Sequence, residues 1–228
     1  MRFQDAAPDA RAVVYAAIQA EPVVARAASL LADASYEQRL LGRAVMNGET
    51  TDAAGWRMTF PTLFDPDVEP DELGRSEAIL AVSLEVAERG EQVRSQVRGA
   101  IVESLTALLL QRRAGDAAVR RERRLLFDGV RAEIHPYDVT VERPGAAEAY
   151  DCKWGARGIG PDVLHQLDDA RGHAVDEDEI LRVALVVFDA RRSCDARLDR
   201  QTAPTSGIGL ATIETLDDLA SAPPAALR

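Results

Sequence analysis

A carboxylate and an amine stand two residues apart in segment 149–154, which reads AYDCKW. The segment is typical of a β-strand, and successive side chains of a strand point to opposite faces. We therefore expect Asp151 and Lys153 on one face and Cys152, as a packing residue, on the other. An acid and an amine held side by side on a rigid strand suit a site that binds a divalent metal ion and activates a water molecule.

Lys153 is the only lysine in a chain with 27 basic residues, and every other basic position is arginine. In a chain that favours arginine so strongly, the one lysine indicates a position that arginine does not replace. A lysine ammonium is a compact point charge whose pKa shifts readily, whereas a guanidinium is planar and stays protonated. The pattern therefore predicts a chemical role for Lys153.

The composition is typical of a globular protein, with 228 residues, 46% of them hydrophobic and 29% charged. This length suits one large domain, or one domain with a helical extension. No apolar run approaches the roughly 18 residues that a membrane span needs, and the N-terminus has no secretory signal core. The two cysteines, Cys152 and Cys194, have neither a disulfide framework nor zinc-ligand spacing. We expect a cytoplasmic protein with no membrane partner.

The formal charge of −11 argues against a protein that coats nucleic acid by bulk electrostatics. An enzyme with a locally basic groove remains possible, and bound divalent ions would offset part of the negative charge. The chain has one dense basic cluster, in segment 112–124. It contacts phosphates or forms a solvated helix end and turn, and both interpretations stay open. Its members are Arg112, Arg113, Arg120, Arg121, Arg123 and Arg124.

Residues 1–95 are predicted to form an N-terminal helical region. Alanine is abundant there, and apolar residues such as Val23, Val24, Ala27 and Leu31 recur at helical spacing. The region contains 9 basic and 16 acidic residues, a difference of −7. It docks a basic protein partner or forms a solvated helical layer.

Residues 96–228 are predicted to form a second domain with mixed secondary structure. Glu103 lies inside an apolar helical segment, where an unpaired carboxylate would be costly. Short strands follow, with a hairpin around Asp128-Gly129 that extends to Ile134 and a strand that carries Asp138. After the strand with Asp151 and Lys153, a glycine-rich loop leads into a helix with Gln166, and a buried apolar strand comes next.

This order of elements resembles the PD-(D/E)xK nuclease superfamily over roughly residues 98–190. In that family a mixed sheet is flanked by helices, and the acids come from a helix, a strand and the adjacent D/E-x-K strand. The matching positions are Glu103 for the helix acid, Asp138 for the motif aspartate, Asp151 and Lys153 for the D/E-x-K pair, and Gln166 for the residue on the following helix. Tyr137 separates Pro136 from Asp138, whereas the family places its proline next to the aspartate, and no subfamily is assigned.

The resemblance implies hydrolysis of phosphodiester bonds with Mg²⁺ or Mn²⁺ as the cofactor. Asp138, Asp151 and the backbone carbonyl of Cys152 would bind the metal, and Glu103 would complete its shell directly or through water. Lys153 would orient the attacking water, help to deprotonate it, or stabilise the charged transition state. Gln166 would position the water or a phosphate oxygen.

We therefore predict an α/β, restriction-endonuclease-like fold, with a mixed β-sheet flanked by helices and an N-terminal helical region. The predicted function is an endonuclease that acts on nucleic acid, DNA in preference, with a role in defence or DNA repair that the resemblance alone implies. Two-fold pairing of active sites would make it a homodimer. The alternative is a catalytically inactive adaptor or structural subunit of a larger, defence-related complex.

Overall fold

The structure is a computed structural model that describes residues 1–6, 10–48, 50–131 and 135–227. It contains two compact units, an α/β unit (Met1–Pro8 and Thr106–Arg228) and a helical unit (Asp9–Leu105). The division therefore differs from the predicted one at residue 95, because a long helix runs through that position and the first residues join the α/β unit as a strand.

The helical unit is built from helices whose starts follow ordinary sequence signals. Proline occupies the first turn of two of them, and a capping box joins Ser35 and Gln38 at the start of a third. The helices are α1 (Ala10–Gln19), α2 (Pro22–Ala32), α3 (Tyr36–Asn47), α4 (Ala53–Thr59), α5 (Pro70–Ala87) and the first part of α6 (Glu91–Ala114).

The core of the helical unit lies where α5 packs against α2 and α3. Leu31, Leu41, Val45 and Ile79 are fully buried there, at the helical spacing that the sequence predicts. The predicted N-terminal helical region is confirmed. No helix among the described residues combines the length and the apolar character that crossing a membrane requires.

The α/β unit contains a mixed sheet, so the predicted α/β class is confirmed. Its strands are β1 (Arg2–Asp5), β2 (Ala118–Phe127), β3 (Val130–Arg131), β4 (Tyr137–Arg143), β5 (Ala146–Lys153), β6 (Ile180–Val187) and β7 (Gly209–Thr212). They lie in the order β1-β2-β4-β5-β6-β7, and β3 pairs with β2. The pairs from β1 to β5 are antiparallel, whereas β5, β6 and β7 are parallel.

Helices cover both faces of the sheet. Parallel strands need a crossover connection, and α7 (Pro161–Asp176) provides it between β5 and β6, burying Leu164 and Leu167 against the sheet. The end of α6 lies on the other face, where Cys152 Sγ is 3.5 Å from Thr106 Oγ1. A further helix, α8 (Arg191–Leu198), follows β6.

Two local features refine the sequence prediction. The first residues are not helical, because β1 pairs with β2 and sets Phe3 opposite Leu125. The predicted hairpin around Asp128-Gly129 forms as the pairing of β2 with β3, while residues 132–134 of its second arm lie outside the described residues. The turn between β4 and β5 uses Gly145 at φ 69°, a conformation that favours glycine.

Candidate functional site

The candidate site lies where β4 and β5 meet, in the middle of the sheet. The register pairs Val139 with Tyr150, and the next positions in the same register are Asp138 and Asp151. A carboxylate oxygen of Asp138, Oδ2, accepts a hydrogen bond from the backbone N–H of Cys152 at 2.5 Å. The acid of one strand is therefore fixed at the level of the D-x-K segment of its neighbour.

Asp151 and Lys153 form an ion pair through Oδ1 and Nζ, so the predicted placement of the two side chains together is confirmed. Asp151 is 7% exposed. Its Oδ1 faces the ammonium of Lys153, which is its counter-charge. A carboxylate offers about four lone-pair positions on its two oxygens, so one ammonium does not exhaust its capacity to bind a cation.

The charge state of Lys153 follows from two opposing effects. Burial alone would lower the pKa of its ammonium, but the carboxylates of Asp151 and Asp138 outweigh burial and raise the pKa above its ordinary value. The side chain is therefore protonated at neutral pH. Of the roles predicted for Lys153, stabilising negative charge fits this state better than removing a proton from water.

Cys152 lies between the two site residues and points away from them. Its side chain is buried and contacts Thr106 of α6, so the predicted packing role is confirmed. The role of its backbone carbonyl as a metal ligand stays a prediction.

Glu122 is an acid of the site that the sequence did not indicate. Its carboxylate oxygen and that of Asp138 lie within 4.8 Å of one another. Two carboxylates this close repel each other, and a bound cation or a proton relieves the repulsion. In the sequence, Glu122 is one acid inside a run of arginines, where it is typical of a surface ion pair.

The backbone at Glu122 is strained, with φ at 52°. The left-handed region costs a non-glycine residue roughly 1–2 kcal/mol. The strand pairing on either side is regular, since Arg121 pairs with Val139 and Arg123 pairs with Tyr137. Strain confined to the residue opposite Asp138 is typical of a functional site.

Glu103, the predicted helix acid, belongs to the helical unit. It is buried, and both oxygens of its carboxylate are hydrogen-bonded within that unit. Tyr15 donates its hydroxyl to Oε1, and Gln19 donates its amide to Oε2 at 2.7 Å. The place of Glu103 in a metal shell stays a prediction.

Gln166, the predicted residue on the following helix, is buried, and its side chain binds the backbone of His135. Its Oε1 accepts from the His135 N–H, and its Nε2 donates to the His135 carbonyl, each at 3.0 Å. These two hydrogen bonds give Gln166 a positioning role, and its contact with water or phosphate stays a prediction. Gln166 therefore fixes the chain at His135, two residues before β4 begins at Tyr137.

Two members of the basic cluster are engaged in ion pairs within the α/β unit, and a contact of the cluster with nucleic acid stays a prediction. Arg113 is buried against Glu148, and Arg123 binds Glu142 and Asp5. These two guanidinium groups are not available to a phosphate backbone. Of the other members, Arg112 and Arg120 are exposed, and Arg121 and Arg124 are half-buried.

The Arg113 ion pair holds α6 against β5, beneath the site. Arg113 donates to both oxygens of Glu148, to the hydroxyl of Tyr150 and to the carbonyl of Leu219. Burial alone would raise the pKa of Glu148, but the hydrogen bonds from Arg113 and Tyr150 lower it below its ordinary value. The strand that carries Asp151 and Lys153 is therefore anchored by a buried charge pair on its other face.

Comparisons with known proteins leave the function open. No protein-family model matches the sequence, and no curated protein matches it. Among solved structures, the chain is similar to protein VC1899 from Vibrio cholerae, with 17% identity and a TM-score of 0.46. The match covers 88% of this chain and 55% of that one, so the chain spans about half the length of that protein. A likeness at this level carries no argument about function.

Proposed function

We propose that the α/β unit is a Mg²⁺-dependent nuclease that hydrolyses phosphodiester bonds of nucleic acid, as a DNA endonuclease. One observation carries the proposal. The carboxylate of Asp138 accepts a hydrogen bond from the backbone N–H of Cys152, between Asp151 and Lys153, which form an ion pair with each other. This grouping matches the order of acids and lysine that the resemblance to PD-(D/E)xK nucleases implies.

The donor set suits a hard divalent cation. Mg²⁺ takes oxygen ligands and is bound by one or two carboxylates together with waters and substrate phosphate. Asp138 and Asp151 would hold Mg²⁺, or Mn²⁺ in its place. Glu122 would join them, because its carboxylate already lies close to that of Asp138. The carbonyl of Cys152 is a further ligand in the proposal.

The protein groups then have distinct tasks in hydrolysis. Water attacks phosphorus, the new P–O bond forms as the ester bond breaks, and the products are a phosphate monoester and an alcohol. When bound, the cation lowers the pKa of a water and polarises the phosphate. Lys153 would hold a positive charge beside the phosphate oxygens, where negative charge develops. Asp151 would orient that ammonium, and Gln166 would keep Asp138 in place.

A cleavage assay tests the proposal. Plasmid, duplex DNA, single-stranded DNA and RNA are incubated with the protein and Mg²⁺ or Mn²⁺. We expect cleavage by wild type, and a loss of about 100-fold or more in Asp151→Asn and Lys153→Gln, the range seen when one stabilising group is removed. Lys153→Arg should not restore full activity, because a guanidinium is bulkier and planar.

The matched control is Asp162→Asn, which removes an exposed acid from the first turn of α7. It should cut as wild type does. Absence of cleavage by wild type on every substrate would refute the enzyme proposal in favour of an inactive adaptor. Equal cleavage by wild type and Asp151→Asn would refute the site assignment alone.

The wider setting is also a proposal. A role in defence or DNA repair follows from the resemblance only. The excess of acids in residues 1–95 supports a basic protein partner for the helical unit, and two-fold pairing would let two chains cut both strands.

A further inference from the structure

A basic cleft lies beside the candidate site, within the α/β unit. It has a volume of about 560 Å³ and is lined by Arg157 from the loop after β5, Asp189 from the end of β6, and Arg197 and Arg200 from α8 and its end. This volume is typical of ligand clefts, which span roughly 300–1,000 Å³. In a chain with a net charge of −11, three arginines around one cleft form a local exception.

The arginines of the cleft are not neutralised by neighbouring acids. Arg157 and Arg200 are both exposed, and neither forms an ion pair with any of the described residues. Arg197 is half-buried and donates Nε to the carbonyl of Ile159 at 2.8 Å, which fixes its guanidinium on the wall. By contrast Arg191, on the same helix, is paired with Asp195.

The one acid of the cleft has a structural task. Asp189 is buried, and its two carboxylate oxygens accept hydrogen bonds from the backbone N–H groups of Ala156 and Ala190, at 3.0 Å and 2.8 Å. These bonds hold the loop after β5 against the end of β6. The carboxylate keeps its negative charge, but the three arginines outnumber it in the lining, so the cleft has a net positive charge.

The loop that lines the cleft packs against the side chain of Lys153. Gly158 follows Arg157, and a Cβ at Gly158 would lie 2.8 Å from Cδ of Lys153 and 3.0 Å from its Cγ. The loop that carries Arg157 therefore packs directly on the stem of the site lysine.

We propose that this cleft binds the phosphodiester backbone of the substrate strand next to the scissile phosphate, an inference that rests on the proposed nuclease function. Arginine guanidinium groups bind phosphate oxygens with two parallel hydrogen bonds, which fixes both position and orientation. Arg157 and Arg200 contact successive phosphates, and Arg197 forms the fixed wall between the loop and the helix.

Binding of labelled oligonucleotides in EDTA, where no metal-dependent cleavage occurs, tests the inference. Fluorescence anisotropy is measured for single-stranded DNA, duplex DNA and RNA with wild type, with Arg157→Ala/Arg200→Ala and with the control Arg192→Ala. Arg192 is exposed on the same helix and does not line the cleft. All three proteins should have the same far-ultraviolet circular dichroism and melting curve.

The double variant should bind at least tenfold more weakly than wild type, and Arg192→Ala should stay within about twofold, because only the first loses phosphate contacts. The slope of log K against log salt should fall by about 1.4 for single strands or 1.8 for duplexes, as expected for two lost contacts. The class of nucleic acid whose binding affinity falls most in the double variant is the one that the cleft binds. Equal binding by the double variant and the control, or no binding by wild type at low salt, would overturn the inference.

Cleavage kinetics separate this inference from the proposed function. The double variant should raise KM with little change in kcat, because the arginines bind substrate and transition state alike. If wild type binds through the cleft but never cuts, the nuclease proposal fails and the cleft assignment stands. If wild type cuts and the double variant cuts with unchanged KM, the cleft assignment fails and the nuclease proposal stands.

Discussion

Replacing Arg113 with methionine should destabilise the α/β unit strongly. In the native protein its side chain is 9% exposed and that of Glu148 is 5% exposed, and the two are joined by a bidentate ion pair. Methionine fills similar space but removes the charge, which leaves a buried carboxylate whose remaining contacts are the hydroxyl of Tyr150 and the partly exposed Arg143.

Breaking a buried ion pair by removing one partner costs about 3–5 kcal/mol. Arg143 lies 3.5 Å from Glu148 and offsets part of the loss, so we expect a value near the lower end of that range, about 3 kcal/mol. Arg112→Met, which removes an exposed charge from the adjacent position, should cost no more than about 1 kcal/mol. Both values come from urea or guanidinium denaturation, followed by circular dichroism.

The cost should depend on pH with a defined sign. In wild type the pKa of Glu148 is lowered, so its stabilisation is present above the ordinary glutamate pKa and is lost as pH falls through the lowered value. In Arg113→Met burial dominates and raises the pKa of Glu148, so the penalty is present at neutral pH and disappears as the carboxylate is protonated. The difference in unfolding free energy is therefore largest near pH 7 and shrinks as pH falls toward 4.

The double variant Arg113→Met/Glu148→Gln should be more stable at pH 7 than Arg113→Met alone. Its neutral amide removes the unpaired charge and still accepts a hydrogen bond from the hydroxyl of Tyr150. A cost for Arg113→Met that equals the cost for Arg112→Met would refute the reasoning, as would a double variant no more stable than the single one.

Three further predictions follow from single contacts. In Gly158→Ala the new Cβ would lie 2.8 Å from Cδ of Lys153 and should displace that side chain. We expect the cleavage rate to fall by about tenfold to 100-fold with little change in melting temperature. A cleavage rate equal to that of wild type would contradict this. Gln166→Met removes both hydrogen bonds to His135 and should lower the free energy of unfolding by about 1–3 kcal/mol and slow cleavage. An unchanged denaturation midpoint would argue against the structural role of these two hydrogen bonds. Burial raises the pKa of Cys194 to about 12, so a thiol reagent at pH 8 should label it rapidly only after denaturation, and fast labelling of the native protein would contradict the structure.

The arrangement of side chains along β5 could be predicted from the sequence because it depends on the local periodicity of a strand. Alternation along a strand fixes Asp151 and Lys153 on one face and Cys152 on the other, and the ion pair and the contact with α6 bear this out. The helical region and the mixed α/β class follow from apolar spacing in the same way. A pattern of period 2 or 3.6 needs no knowledge of distant residues.

The contacts that the sequence did not predict join residues far apart in the chain. Arg113 looked like part of an exposed basic cluster because its partner, Glu148, lies 35 residues away. Glu122 gained its place from strand register and a left-handed backbone, neither of which has a signal in the run of arginines around it. The hydrogen bonds of Gln166 join it to the backbone of His135, and backbone groups have no sequence signature.

A divalent ion held by Asp138 and Asp151 is the claim on which the nuclease proposal depends, and calorimetric titration with Mn²⁺ tests it without any knowledge of the substrate. We predict saturable binding to wild type and to Asp162→Asn, and at least tenfold weaker binding to Asp138→Asn and Asp151→Asn, since each loses one carboxylate ligand. Wild-type affinity in the Asp138→Asn and Asp151→Asn variants, or no saturable binding to wild type, would contradict it.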